Sequence, residues 1–148
     1  MSRPTGESYA GDVRPANAFS SLANEAKSAL VDVRTKAEWA YVGVASLDSV
    51  GKTPIFVEWQ GYPSMAVDGQ FVERLERKLE EAAIEPPDSL FFLCRSGVRS
   101  KSAAIAMTEA GWLRCFNVTG GFEGPCDSHG HRGVIEGWKA NGLPWIQS

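Results

Sequence analysis

Cys94, Arg95, Ser96, Gly97, Val98 and Arg99 follow one another between an apolar run and an alanine-rich stretch. A cysteine is nucleophilic as its thiolate, and both neighbouring arginines and the N-terminus of a helix favour that form. Gly97 permits a positive φ or a close backbone approach, while Ser96 and Ser100 offer hydroxyl donors. A loop that leaves a strand and enters a helix also turns its N–H groups inward, where the helix dipole adds partial positive charge. These residues suit covalent chemistry: Cys94 attacks an electrophile, and the loop holds an anion bound to sulfur. The plain alternative is a structural cysteine behaving as a small hydrophobe. Two arginines bracketing the loop argue against that alternative.

The elements on either side must present the loop. Ser89 to Leu93 reads as a buried strand, and Ser100 to Ala110 as a closely packed helix, leaving Cys94–Arg99 as a six-residue connection. Upstream, Pro15 is suited to open a short helix through Leu22, and Ala29 to Val33 is a second buried strand. Asp32 and Arg34 end that strand. Thr35 and Glu38 then have the capping-box spacing of a helical turn reaching Tyr41, so Asp32, Arg34 and Glu38 are expected to tie strand end to helix start.

Further along, Pro54 to Trp59 looks like a strand. Glu58, Trp59, Gln60 and Tyr62 lie at its carboxyl end, where open α/β sheets place their ligands. Trp59 is therefore a candidate pocket wall as well as a core residue. Phe71 to Ala83 is an amphipathic helix with Glu73 and Arg77 on its outer face, stopped by Pro86-Pro87. Leu113 to Val118 reads as the last strand, followed by the Gly120-Gly121 loop. Val134 to Ala140 is expected to form a short helix, closed by Asn141-Gly142 and Pro144. Met1 to Asp12 is expected to be an extended or flexible arm. Strands alternating with helices give an α/β fold, with a mainly parallel central sheet covered by helices on both faces.

At 148 residues, 43% hydrophobic and 22% charged, the chain is expected to be one domain over residues 1–148. A net charge of −3 without a basic stripe argues against a nucleic-acid partner. No stretch approaches the roughly 18 apolar residues of a membrane span, and the first residues lack a signal-peptide core, so a cytoplasmic location is expected. Three cysteines, Cys94, Cys115 and Cys126, form no C-x-x-C pair and suggest neither a disulfide framework nor a zinc knuckle. Cys115 falls inside a predicted strand and reads as core. Cys126, in a Gly-Pro-rich loop, is a candidate resolving thiol for Cys94. His129 and His131 stand two apart in a glycine loop beside Cys126 and Asp127, which is not the usual ligand spacing; no metal and no cofactor are expected.

The segment SLFFLCRSGVRSKSAAIA, from Ser89 to Ala106, resembles the active-site loop of single-domain rhodaneses with its flanking strand and helix. The resemblance extends to LVDVRTKAEW at Leu30–Trp39, GGFEG at Gly120–Gly124 and GWKANGLPW at Gly137–Trp145, in the same order as in bacterial members. It implies a rhodanese-like fold and a sulfurtransferase in which Cys94 carries sulfur as a persulfide. Implied partners are a small anionic donor such as thiosulfate, a thiol or cyanide acceptor, and in some settings a sulfur-relay protein. Arg95, Ser96, Gly97, Val98 and Arg99 form the anion-binding loop on this view, with Ser100, Asp32, Arg34 and Trp59 in supporting places.

The chain departs from many relatives at Val42-Gly43-Val44-Ala45, which bears on the substrate mouth. Tyrosine phosphatases and arsenate reductases use a Cys-to-Arg loop one residue longer. Here four residues separate Cys94 from Arg99, a ring better matched to a single sulfur than to a phosphate group. Asp127 is the residue such a phosphatase reading would use as general acid. A non-catalytic interaction module is the third reading, disfavoured by the intact cysteine.

Overall fold

The computed structural model of the chain describes residues 8–61, 64 and 66–147. Tyr62 and the arm residues Met1 to Glu7 lie outside them. The backbone is built from β1 (Gly11–Val13), α1 (Pro15–Asn24), β2 (Ser28–Asp32), α2 (Lys36–Tyr41), β3 (Val44–Ala45), β4 (Ile55–Phe56) and β5 (Gln60–Gly61). It continues through β6 (Ala66–Val67), α3 (Phe71–Glu81), β7 (Ser89–Leu93), α4 (Val98–Glu109), β8 (Arg114–Val118) and β9 (Trp145–Ile146).

Five strands form the central sheet in the order β1-β8-β7-β2-β4, and every pairing is parallel. Because both faces of β2 and β7 are buried, neither strand needs a polar side, which is why Ala29–Val31 and Leu90–Leu93 read as unbroken apolar runs. Alternate side chains feed two cores. Val31, Leu90, Phe92 and Cys94 point toward α3 and α4, with Leu75, Leu79, Ala103, Ala104 and Met107 packed over them. Leu30, Phe91, Leu93 and Val118 point the other way, under Ala18 and Leu22 of α1 and under Phe122 and Trp138. The alanines of α4 let that helix approach the sheet closely.

Several expectations are corrected. Gly11 and Asp12, the end of the expected arm, belong with Val13 to the edge strand β1, paired with Phe116–Val118. Helix α4 begins at Val98 instead of Ser100, so Val98 and Arg99 belong to its first turn and the connection shrinks to Cys94–Gly97. Strand β4 covers only Ile55–Phe56, although the N–H groups of Val57 and Trp59 still donate to Asp32 and Val33 at 3.1 Å. Residues 134–140 form turns and no helix. Gly133, just before the segment, and Gly137 within it have φ of 82° and 106°, which a right-handed helix does not admit.

Candidate active site

Cys94 follows directly from β7, the middle strand of the sheet, and is 1% exposed. Its Sγ accepts from the N–H of Gly97 at 3.1 Å and lies 3.1 Å from Ser100 Oγ. Gly97 occupies the N-cap of α4 with φ of 117°. A Cβ there would meet Asn117 Nδ2 at 3.8 Å and Gly120 N at 3.9 Å, ordinary contacts, so the requirement for glycine is conformational and not one of space. That conformation turns the chain into α4 directly after an N–H that points back onto the sulfur three residues earlier. Ser100, fully buried one turn into α4, donates to Asn117 Oδ1 at 2.6 Å.

The loop is held from behind. Phe122 N–H donates to Cys94 O at 2.7 Å, and Glu123 and Gly124 N–H both donate to Arg95 O at 3.0 Å. This contact is possible because Gly121, with φ of 61°, has no side chain; a Cβ would run into Cys94 O and into Arg95 C at 2.6 Å. These backbone bonds bring the two-glycine loop against the cysteine cradle.

An open cleft of about 340 Å³ lies over the sulfur, lined by Glu38, Gln60, Cys94, Arg95, Ser96, Val98 and Arg99. Arg95 is exposed at its rim and, among the described residues, forms no ion pair. Arg99 is paired within the wall: its Nη1 and Nη2 donate to the two oxygens of Glu38 at 2.7 and 2.9 Å. Burial opposes the charge on Glu38, but Arg99 and the Thr35 donors outweigh it and hold the carboxyl below its ordinary range. Burial likewise opposes the Arg99 charge, and Glu38, then Cys94 and Asp32, reverse the balance and raise it. Glu38 reaches the cleft because the expected capping box forms: Thr35 Oγ1 accepts from Glu38 N at 3.3 Å while Thr35 N donates to Glu38 Oε1 at 3.2 Å.

Asp32 and Arg34 do not line the cleft. They form a buried pair, with Arg34 Nη2 donating to Asp32 Oδ2 and to Gly43 O, both at 2.7 Å. The guanidinium lies 4.3 Å from the centre of the Phe122 ring, so the pair bears on Cys94 through the residue whose N–H binds its carbonyl. Trp59 is also away from the cleft; its ring packs edge-on against Phe71 at 4.9 Å, and its neighbour Gln60 lines the wall instead. Lys101 sits 5.8 Å from the Tyr9 ring and outside the cleft lining. Sequence reasoning passed over Asn117, whose only signal is one amide in an otherwise ordinary strand, RCFNV.

Of the other thiols, Cys115 is buried, and burial pushes it up to about 11, partly offset by Thr108. Cys126 is exposed. Asp127 Oδ1 accepts from His129 N at 2.8 Å and His131 N at 2.9 Å, so it organises its own loop. Among the described residues no three His, Cys, Asp or Glu side chains stand close enough to share a metal ion, and no helix is long and apolar enough to cross a membrane.

A parallel five-stranded sheet flanked by helices, with the cysteine loop at the end of its middle strand, is a rhodanese-like fold. The 30 kDa polysulfide-sulfur transferase of Wolinella succinogenes shares it, with a TM-score of 0.60 at 17% identity over 97% of this chain and 82% of that one. The crystal structure of Rv0390 from M. tuberculosis gives a TM-score of 0.85 at 44% identity, covering 95% of this chain and 100% of the other. The family model of the STR4 middle domain matches residues 11–148, and the chain belongs to that family. An uncharacterized protein of Rickettsia conorii is 37% identical over 128 residues, 86% of this chain and 90% of that protein. Rhodanese-like domain-containing protein 4, chloroplastic, of Arabidopsis thaliana is 23% identical over 131 residues, 88% of this chain and 24% of that protein.

Proposed function

We propose that the chain is a sulfurtransferase in which Cys94 carries a sulfane sulfur from a small anionic donor such as thiosulfate to a thiol or cyanide. The observation that carries this reading is the sulfur of Cys94, held by the Gly97 N–H and beside Ser100 at the floor of a cleft with Arg95 at its rim. In the first step the thiolate attacks the outer sulfur of the donor. A new S–S bond forms as the old one breaks, and sulfite leaves with the electron pair. The terminal sulfur of the Cys94 persulfide is then attacked by the acceptor, and Cys94 departs as thiolate.

Donor, intermediate and leaving group are all anionic, so fixed N–H dipoles and arginines serve each of them; removing one such donor costs roughly 2.7–4 kcal/mol in comparable oxyanion sites. Two similarities fit the reading: one neighbour in fold is named a polysulfide-sulfur transferase and one relative is named rhodanese-like. The reading also carries a reducing, cytoplasmic setting, which keeps Cys94 and its acceptors as thiols. A sulfur-relay protein could occupy the acceptor's place with no change in the chemistry.

The test is intact mass after incubation with thiosulfate, followed by cyanide and a thiocyanate assay. The expected result is gain of one sulfur that cyanide removes, and neither event in Cys94→Ala. Turnover of an aryl phosphate or arsenate without sulfur gain would favour the phosphatase or arsenate reductase reading. Against that outcome stand the short Cys94–Arg99 ring, an Arg99 committed to Glu38, and an Asp127 committed to its own turn. No reaction with any donor would leave the interaction-module reading.

A further inference from the structure

A chain of hydrogen bonds runs from the cysteine sulfur to the edge of the sheet. Ser100 Oγ lies 3.1 Å from Cys94 Sγ and donates to Asn117 Oδ1 at 2.6 Å. Asn117 Nδ2 donates to Asp12 Oδ1 at 3.2 Å, and the same oxygen accepts from Tyr9 Oη at 2.9 Å. The register of β1 on β8 sets Asp12 directly opposite Asn117, so this contact is built into the strand pairing. Ser100 and Asn117 are buried, and Asp12 is exposed.

The direction of each bond follows from what each group can do. A carboxylate only accepts, so Asp12 obliges Asn117 to turn its NH2 outward and its carbonyl toward Ser100. The single hydroxyl proton of Ser100 then goes to Asn117, and its lone pairs face the sulfur. That arrangement suits a thiol, whose S–H donates to Ser100. It opposes an anionic sulfur, which needs the Ser100 proton for itself and would leave the buried Asn117 carbonyl without a donor. We propose that Asp12 and Asn117 are positioning residues for Cys94, fixing through Ser100 which way the proton beside the sulfur points and so restraining the anionic sulfur at rest.

The inference rests on Cys94 being the reactive thiol, and it concerns its protonation, not its substrate. Other charges around the sulfur are Arg95 and Arg99, with Glu38 on the same cleft wall. Around Asp12 stand Tyr9, whose phenol burial and then Asp12 itself raise, and Lys101 over the Tyr9 ring. Asp12→Asn relieves the part of the Tyr9 shift that Asp12 causes, with or without Ser100, so the comparison on the Ser100→Ala background cancels it.

Iodoacetamide alkylation of Cys94, followed by peptide mass across pH, is measured for the native protein, Asp12→Asn, Ser100→Ala and the double variant. Asparagine at position 12 lets the Asn117 amide turn over and donate to Ser100, releasing the hydroxyl proton to the sulfur. Asp12→Asn should therefore alkylate roughly three- to tenfold faster near pH 6, with its rate profile displaced to lower pH and its high-pH plateau unchanged. On the Ser100→Ala background the same substitution should do nothing, because the relay is already cut. A native profile in Asp12→Asn overturns the proposal. So does an equal displacement with and without Ser100, which would be the long-range effect of deleting one charge. Alkylation needs no sulfur donor, so a protein that behaves as expected here yet gains no sulfur from any donor refutes the transferase reading and leaves the relay in place.

Discussion

Glu38 has two jobs that meet on one carboxylate: it completes the capping box of α2 and it pairs with the guanidinium of Arg99 in the wall of the cleft. The ion pair requires the charged form, whereas the cap needs only an acceptor, which glutamine also supplies. Because its folded-state value lies below the ordinary 4.5, the stabilisation it provides is fully present above that value and is lost as pH falls through the depressed one. Arg99 is raised from an already basic value and stays charged throughout. Glu38→Gln should therefore lower stability at pH 7 by about 1–2 kcal/mol, and denaturant titrations should show that gap closing as pH drops below 4.5 toward 3. A gap that persists unchanged at low pH would mean packing, not charge, is what glutamine disturbs.

At the scale of elements, what was legible followed from locality. The Thr35–Glu38 box is a matter of four adjacent residues and reads directly from sequence, as do β2 and β7, whose burial on both faces confines polar residues to their ends. Strands β1, β3, β5, β6 and β9 are two or three residues long and exist through pairing partners outside their own short runs, so no local pattern announces them. The segment 134–140 misled for the same reason. Its apolar spacing suggests a helix, but Gly137 packs against Gly120, Gly121 and Gly124, and a Cβ on it would lie 2.9–3.0 Å from their backbone atoms. Within the site, Cys94 and its loop were legible and Asn117 was not, because a lone amide in a strand gains meaning only from the helix above it. The glycine contact gives a further prediction. Gly121→Ala should cost on the order of 3 kcal/mol in urea denaturation and abolish sulfur loading together, since its Cβ collides with the backbone of Cys94 and Arg95.

At the scale of the molecule, the last residues close the second core. Pro144 O accepts from Trp138 Nε1 at 2.7 Å and from Ser46 N at 2.9 Å, and Trp145–Ile146 pairs with Val44–Ala45. Trp138 is fully buried against Phe19 and its neighbours, so losing its only described acceptor leaves a buried donor unpaired. Deleting residues 144–148 should lower Tm by roughly 10 °C in a thermal melt followed by tryptophan fluorescence.

The bonds from Phe122, Glu123 and Gly124 to the carbonyls of Cys94 and Arg95 also have an evolutionary reading. Active sites are often places where stability and activity pull apart, so that selection for one erodes the other. Here the same backbone contacts shape the sulfur cradle and anchor the far side of the fold. Selection for folding alone would therefore preserve the cradle, even in a descendant that had lost its cysteine. On this view the outline of the loop is a property of the scaffold, and the thiol at position 94 is what the transferase proposal adds to it.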